Sequence, residues 1–122
     1  MAYDRLAVED QIKNEDFVGA YRAVFPPWGT ELRMYVPEHM HGPVVRYILQ
    51  GILQDDFLIA FIEGDLFQAF RYADDINRHN FLNWSIFFFN YAPSACFDGV
   101  ENVEDWIAWK GKLGMDHVEE TD

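Results

Sequence analysis

Positive charge is scarce in this sequence. Its 122 residues include nine Lys and Arg against 21 Asp and Glu, which gives a formal net charge of −12. The nine basic residues are spread thinly along the chain and form no stripe. Proteins that bind nucleic acids or anionic membranes neutralise phosphates with Lys and Arg. The composition therefore argues against direct binding to nucleic acid or to a membrane surface.

Cysteine is scarcer still. Cys96 is the single cysteine, so the chain cannot form an internal disulfide, and it fits a reducing compartment. The amino-terminal stretch MAYDRLAVEDQIKNED is polar and acidic, unlike a secretory signal or a transit peptide. These features predict an intracellular protein.

A long apolar run is also missing. The best candidate is FLNWSIFFFNYAP, residues 81–93, which contains Asn83, Ser85 and Asn90 and ends at a proline. A membrane-spanning helix needs roughly 20 apolar residues. This stretch is too short and too polar, so we expect no membrane span.

The chain is, however, rich in side chains that form a core. Half of its residues are hydrophobic and 17% are aromatic, which is atypical of a disordered chain and sufficient for one core. We expect a single globular domain over residues 1–115. Residues 116–122 are predicted to form an acidic, flexible tail. Because they are flexible, its acids Glu119, Glu120 and Asp122 are expected to matter less for binding.

The stretch at residues 80–92 is best interpreted as a helix. Strand alternation fails there, whereas Asn80, Asn83, Phe87 and Asn90 fall on one helical face. Everything else is apolar, so the pattern predicts a helix buried on most sides with one narrow polar seam. A buried strand is the alternative, because aromatic residues favour strands. Phe87 interrupts the polar seam and is a candidate contact residue, toward another helix or a second subunit.

The remaining pattern predicts an all-α fold of five or six short helices around this central aromatic helix. Gly51 and Gly64 are expected to end helices, and Asp65 to cap the next one. A single helix is predicted over 65–80 and another over 100–114. The segment GTELRMYVP at residues 29–37 is predicted to be a loop or an isolated strand. Five residues are expected to have structural roles: Asp74, Asn77, Trp84, Phe88 and Trp106.

A pattern of residues extends over about residues 37–109. Its members are Pro37, His39, Tyr47, Gly51, Ile52, Phe57, Leu58, Asp65, Leu66, Ala69, Ala73, Asp74, Asn77, Leu82, Pro93, Gly99, Trp106 and Ile107. This arrangement resembles a family of small, uncharacterised proteins encoded by tailed bacteriophages and prophages. Two positions depart from that pattern, where Asp56 replaces a glycine and Gly64 replaces an asparagine. The resemblance implies a setting, the cytoplasm of a bacterial host, and no particular chemistry.

Three groups of residues raise the question of catalysis or metal binding. His39 and His41 could share a face of an extended segment, but two ligands make a weak metal signal. The region of Asp65 and Asp74, with Asp75, Asn77 and His79 nearby, could serve a small hydrolase only if these groups converge. The alternative is that Asp65 caps a helix, while Asp74 and Asn77 tie theirs to a neighbouring loop.

Cys96 has no base beside it in the sequence. An inert, buried thiol is the expected state of this residue. No cofactor is expected, and the sequence predicts a protein without enzymatic activity.

Negative charge is segregated along the chain. Residues 98–122 carry eight acids against two lysines, whereas residues 79–97 carry no Asp, Glu, Lys or Arg. An acidic surface could imitate nucleic-acid phosphates and occupy a basic groove, although it also promotes solubility. The expected contributors form two groups: Glu101, Glu104 and Asp105, and then Asp55, Asp56 and Asp65.

The leading hypothesis is a small acidic phage accessory protein that binds and modulates, by inhibition, a bacterial host protein with a basic surface. A structural or assembly module acting as a homo-oligomer, for example a homodimer, is the alternative. A small hydrolase using Asp65 and Asp74 is a second alternative.

Overall fold

The computed structural model describes residues 3–117, and this part of the chain is helical with no β-strand. Its α-helices are α1 (Arg5–Lys13), α2 (Phe17–Val24), α3 (Gly29–Tyr35), α4 (His41–Val45), α5 (Asp56–Glu63), α6 (Leu66–Tyr72), α7 (Asp75–His79), α8 (Phe81–Tyr91), α9 (Val100–Ala108) and α10 (Gly111–Asp116). Short 3-10 turns span Pro26–Trp28, Glu38–Met40 and Ser94–Cys96, and a π-helix spans Arg46–Gln50. The all-α prediction is confirmed.

The predicted number of helices, five or six, is wrong because two predicted helices are broken. Ala73 adopts an extended backbone, and Asp74 then caps a new helix by accepting a 2.7 Å hydrogen bond from the Asn77 amide. Lys110 and Gly111 both have positive φ, 63° and 69°, which α-helical residues do not adopt. The first break separates α6 from α7, and the second separates α9 from α10.

The extended segment predicted at residues 29–37 is also wrong, since Gly29–Tyr35 forms α3. A turn of 3-10 helix over Pro26–Trp28 leads directly into it. The helix ends where Val36 becomes extended in front of a proline, as expected because proline disfavours α conformation in the residue before it. Local β propensity in this stretch therefore yields to packing, and Leu32 is fully buried.

Helix α8 confirms the helical interpretation of the aromatic stretch, but its orientation differs from the prediction. Trp84, Phe87 and Phe88 are buried, whereas Leu82 and Phe89 are 74% and 75% exposed. The other exposed residue of α8 is Asn90. The helix is therefore covered on most sides, as expected, but the side that meets solvent is largely apolar and is not the predicted polar seam.

Helix α8 packs against α5 and α3. Phe57 of α5 meets the Trp84 ring edge to face at 5.2 Å between ring centroids, and Tyr91 stacks on Tyr35 of α3 at 5.7 Å. Phe88 is 1% exposed and contacts the ring of Phe97. Helix α8 therefore joins the amino-terminal helices to α5 and the segment before α9.

The carboxyl-terminal end of the described chain is folded as far as His117. Asp116, the last residue of α10, accepts a 2.6 Å hydrogen bond from the Tyr3 hydroxyl and pairs with Lys112 at 3.0 Å. His117 is only 3% exposed. These two residues, expected in the tail, belong to the folded domain; residues 118–122, with Glu119, Glu120 and Asp122, lie outside the described residues.

Candidate functional site

The clearest candidate site is an acidic face on α9, formed by Glu101, Glu104 and Asp105. All three are exposed, while Val103 and Trp106 on the other side of the helix are 1% exposed. Burial of that apolar side fixes which way the acids point. The structure therefore brings together the first group of acids that the sequence predicted.

The acidic face has no cationic partner in the described chain. Within residues 3–117, the ion pairs of Lys and Arg are Arg5–Glu9, Arg78–Asp75 and Lys112–Asp116, and His39 forms one with Asp74 when the imidazole is protonated. None involves α9. The three carboxylates of the acidic face thus stand at the surface without a compensating charge among these residues.

Trp106 fixes α9 to the domain by more than burial. Its indole N–H donates to the carbonyl oxygens of Tyr47 and Ile48, at 3.2 and 3.1 Å. These two carbonyls lie in the π-helix that ends at Gly51, and that of Tyr47 also accepts from the Gly51 amide at 2.9 Å. Trp106 therefore ties α9 to the backbone of the π-helix and so orients the acidic face.

The second predicted acidic group does not form one patch. Asp55 caps α5 by accepting from the Leu58 amide at 2.9 Å, and Asp65 caps α6 by accepting from the Gln68 amide at 3.2 Å. Asp56 is exposed in the first turn of α5. Helix α5 separates Asp55 and Asp56 from Asp65 by about 12 Å along its axis. Helix capping therefore explains the presence of Asp55 and Asp65, and no binding partner is needed to explain them.

The two histidines of the suggested metal pair face different ways. His39 is exposed, and its Nε2 lies 2.8 Å from Asp74 Oδ2. His41 is buried, and its Nε2 lies 2.8 Å from the Val36 carbonyl oxygen. Within residues 3–117, no group of three or more His, Cys, Asp or Glu side chains is placed to hold a metal ion.

Asp74 links α7 to the turn at Glu38–Met40. The pKa of the Asp74 carboxyl is lowered, mainly because the Asn77 amide donates a hydrogen bond to it. The His39 side chain lowers this pKa further. Asn77 itself is buried at 3% exposure. Asp65 stands at the other end of the seven-residue helix α6, which places the two backbones about 10 Å apart. Each of the two carboxylates accepts from a backbone amide of the helix that it caps.

Cys96 is fully buried, and burial raises the pKa of its thiol well above the usual value. The hydroxyl of Tyr47 donates to the Cys96 carbonyl oxygen. A thiol is nucleophilic only as the thiolate. The environment of Cys96 therefore opposes reactivity.

Sequence reasoning missed an apolar face on α6 and α8. It consists of Leu66, Phe67, Phe70, Leu82 and Phe89, which are 62%, 92%, 56%, 74% and 75% exposed. Leu66, Ala69, Phe70 and Ala73 recur at helical spacing, but only the two alanines are buried. Leu66, Phe67 and Phe70 lie within one side of α6, and that side is the exposed one.

Phe87, the predicted contact residue, is not part of that face. It is fully buried, and its ring lies 5.8 Å from that of Tyr21 in α2. Of the two partners expected for Phe87, another helix or a second subunit, the structure shows the first, because the ring is buried against α2 of the same chain. Of the asparagines in the predicted polar seam, Asn80 and Asn83 are half-buried and Asn90 is exposed.

Among the described helices, none has the length and apolar content that a bilayer span requires. Comparison with protein-family models, with curated proteins and with solved structures finds no match to this chain.

Proposed function

We propose that this protein is a non-enzymatic binding module whose acidic face on α9 docks on a basic surface of another protein. In the setting that the phage resemblance implies, the partner is a protein of the bacterial host, and binding in the host cytoplasm inhibits it. The chain needs no cofactor for this role.

The observation that carries the proposal is the spacing of the acids on α9. Glu101 lies three residues before Glu104 and four before Asp105, and such like-charge neighbours on a helix destabilise it by about 0.2–0.5 kcal/mol per pair. Glu101 alone is favoured by the helix dipole, since it lies in the first turn. The other two carboxylates bring no stabilising contact within the described chain.

A basic partner would convert this repulsion into attraction. Charges at a binding surface act mainly on the rate of association, over a distance of about 8 Å at physiological ionic strength. Because Trp106 and Val103 hold the other side of α9 in the core, the three carboxylates are presented on a rigid helix. Little conformational entropy is then lost on binding.

The test begins with capture of the partner from a bacterial lysate by the tagged chain, followed by identification of the bound protein by mass spectrometry. Association rates are then measured at low and high salt for the wild type and for the triple variant Glu101→Gln, Glu104→Gln and Asp105→Asn. We expect the triple variant to associate several-fold more slowly and with a weaker dependence on salt.

A matched control separates the acidic face from net charge. Asp10, Glu15 and Glu38 are exposed and lie outside both acidic groups. The variant Asp10→Asn, Glu15→Gln and Glu38→Gln changes the net charge by the same amount, so it should leave the rate nearly unchanged. Equal slowing by both variants, or a wild-type rate insensitive to salt, contradicts the proposal.

A further inference from the structure

We infer that the apolar face of α6 and α8 is the interface for a second copy of this chain, in a two-fold symmetric dimer. This inference is independent of the proposed function, because α9 takes no part in it. The most exposed member of the face is Phe67, at 92%. A contiguous exposed apolar patch is rare on a monomer and marks an interaction site.

The residues of the apolar face form one surface. The Phe70 ring of α6 lies 5.7 Å from the Phe81 ring at the start of α8. Leu82 and Phe89 are seven residues apart and therefore on one side of α8, and the Phe89 ring meets Phe97 edge to face at 5.4 Å. The contact of Phe70 with Phe81 thus joins α6 to the start of α8.

The area of this face is close to what a stable dimer needs. An aromatic side chain brings about 150–250 Å², so the exposed fractions of Phe67, Phe70 and Phe89 provide on the order of 450 Å². Leu66 and Leu82 add to it. A typical specific interface buries about 800 Å² per partner.

Charge favours a second copy as the occupant. Two chains that each carry a net charge of −12 repel one another, but residues 65–97 hold three Asp and two Arg and so carry a formal charge of only −1. This face therefore offers two copies a nearly neutral surface of approach. A strongly basic partner would find little excess of negative charge here.

The charges at the two ends of α6 are complementary under a two-fold rotation. Asp65 caps the start of the helix, and Arg71 lies in its last turn. The Arg71 side chain forms no ion pair within residues 3–117. If two copies of α6 pack antiparallel, Asp65 of each lies opposite Arg71 of the other, as an isologous interface requires. Phe67 and Phe70 then pack near the axis.

The first experiment is sedimentation velocity over a concentration series of the full chain. We expect a reversible monomer–dimer equilibrium for the wild type. The double variant Phe67→Ser and Phe89→Ser should raise the dissociation constant at least about tenfold, as loss of central aromatic anchors does. The double variant Leu6→Ala and Met34→Ala is the matched control, since Leu6 and Met34 are 74% and 64% exposed outside this face, and it should leave the constant unchanged.

A charge exchange tests the antiparallel geometry. The single variant Arg71→Glu places like charges opposite each other and should weaken the dimer, whereas Arg71→Glu combined with Asp65→Arg should restore part of the affinity. Far-UV circular dichroism checks that α6 survives loss of its cap.

Three outcomes would overturn the inference. They are a wild-type chain that stays monomeric at the highest accessible concentration, a dimer indifferent to the phenylalanine variant, and a charge exchange that restores nothing. None of them bears on the rate measurements that test the acidic face.

Discussion

Replacement of Gly111 by alanine tests the contact that holds the end of α9 and the start of α10 on the π-helix. Gly51 and Gly111 both have positive φ, 72° and 69°, and their backbones touch. A Cβ atom on Gly111 would lie 2.6 Å from the Gly51 nitrogen and 2.7 Å from the Gln50 nitrogen. Because the obstructing atoms belong to the backbone, no side chain can rotate away.

The expected cost has two parts. The left-handed conformation costs a residue with a Cβ about 1–2 kcal/mol, partly offset because alanine restricts the unfolded chain by about 0.4–1 kcal/mol. Overpacking against the backbone adds about 1–3 kcal/mol. We therefore expect Gly111→Ala to lower the free energy of unfolding by roughly 2–4 kcal/mol, out of the roughly 5–15 kcal/mol of a typical domain.

Gly64 provides the matched control, because its φ is 87° and a Cβ there would meet no atom within 4 Å. Gly64→Ala should show the conformational part alone, about 1 kcal/mol. The assay is urea unfolding followed by circular dichroism, with midpoints compared at an unchanged slope. Equal losses for the two variants would show that the Gly51–Gly111 contact relaxes freely, and would refute this account of how α10 is seated.

Three further predictions concern single side chains. Phe88→Ala should cost about 3–5 kcal/mol of stability as a large-to-small core change, while Phe89→Ala one position along should cost little, since that ring is 75% exposed; comparable thermal midpoints for the two would contradict the orientation of α8. Cys96 should resist a thiol reagent such as Ellman's reagent in the native state and react only after unfolding, and rapid native labelling would show that its environment opens. Asp74→Ala should destabilise the domain at neutral pH by about 1 kcal/mol through loss of a cap. The pKa of Asp74 is lowered in the folded state. Its contribution to stability is therefore complete above the ordinary Asp pKa and is lost as the pH falls through the folded-state pKa. The stabilities of wild type and variant should thus converge in acid, and a difference that persists there would assign the effect to something other than the carboxylate.

Much of the fold was predictable because it depends on local chemistry. The helix over the aromatic stretch follows from a 3.6-residue pattern, and Gly51, Gly64 and Asp65 mark helix ends through backbone freedom and side-chain capping. The outward position of Glu101, Glu104 and Asp105 follows from the apolar spacing of Val103 and Trp106. These are short-range effects, so the sequence alone carries them.

Tertiary structure alone decided which apolar side chains are covered. Periodicity shows that Leu66, Ala69, Phe70 and Ala73 recur along α6, but α5 covers only the side that holds the alanines. The same holds for α8, where packing against α2, α3 and α5 buries Phe87 and leaves Phe89 in solvent. Burial depends on neighbours that are distant in sequence, and a single helix pattern contains no information about them.

The acidic face and the apolar face therefore differ in whether the sequence alone predicts them. The acidic face could be predicted from the sequence, since charged residues stay at the surface wherever the helix packs. The apolar face could not be predicted, since the same residue types form cores. Only the packed helices show that Phe67, Phe70 and Phe89 remain exposed. Asp74 caps α7 through a local contact with the Asn77 amide, whereas its second contact, with His39, joins positions 35 residues apart. That contact was decided by tertiary structure alone, because no local rule brings such distant residues together.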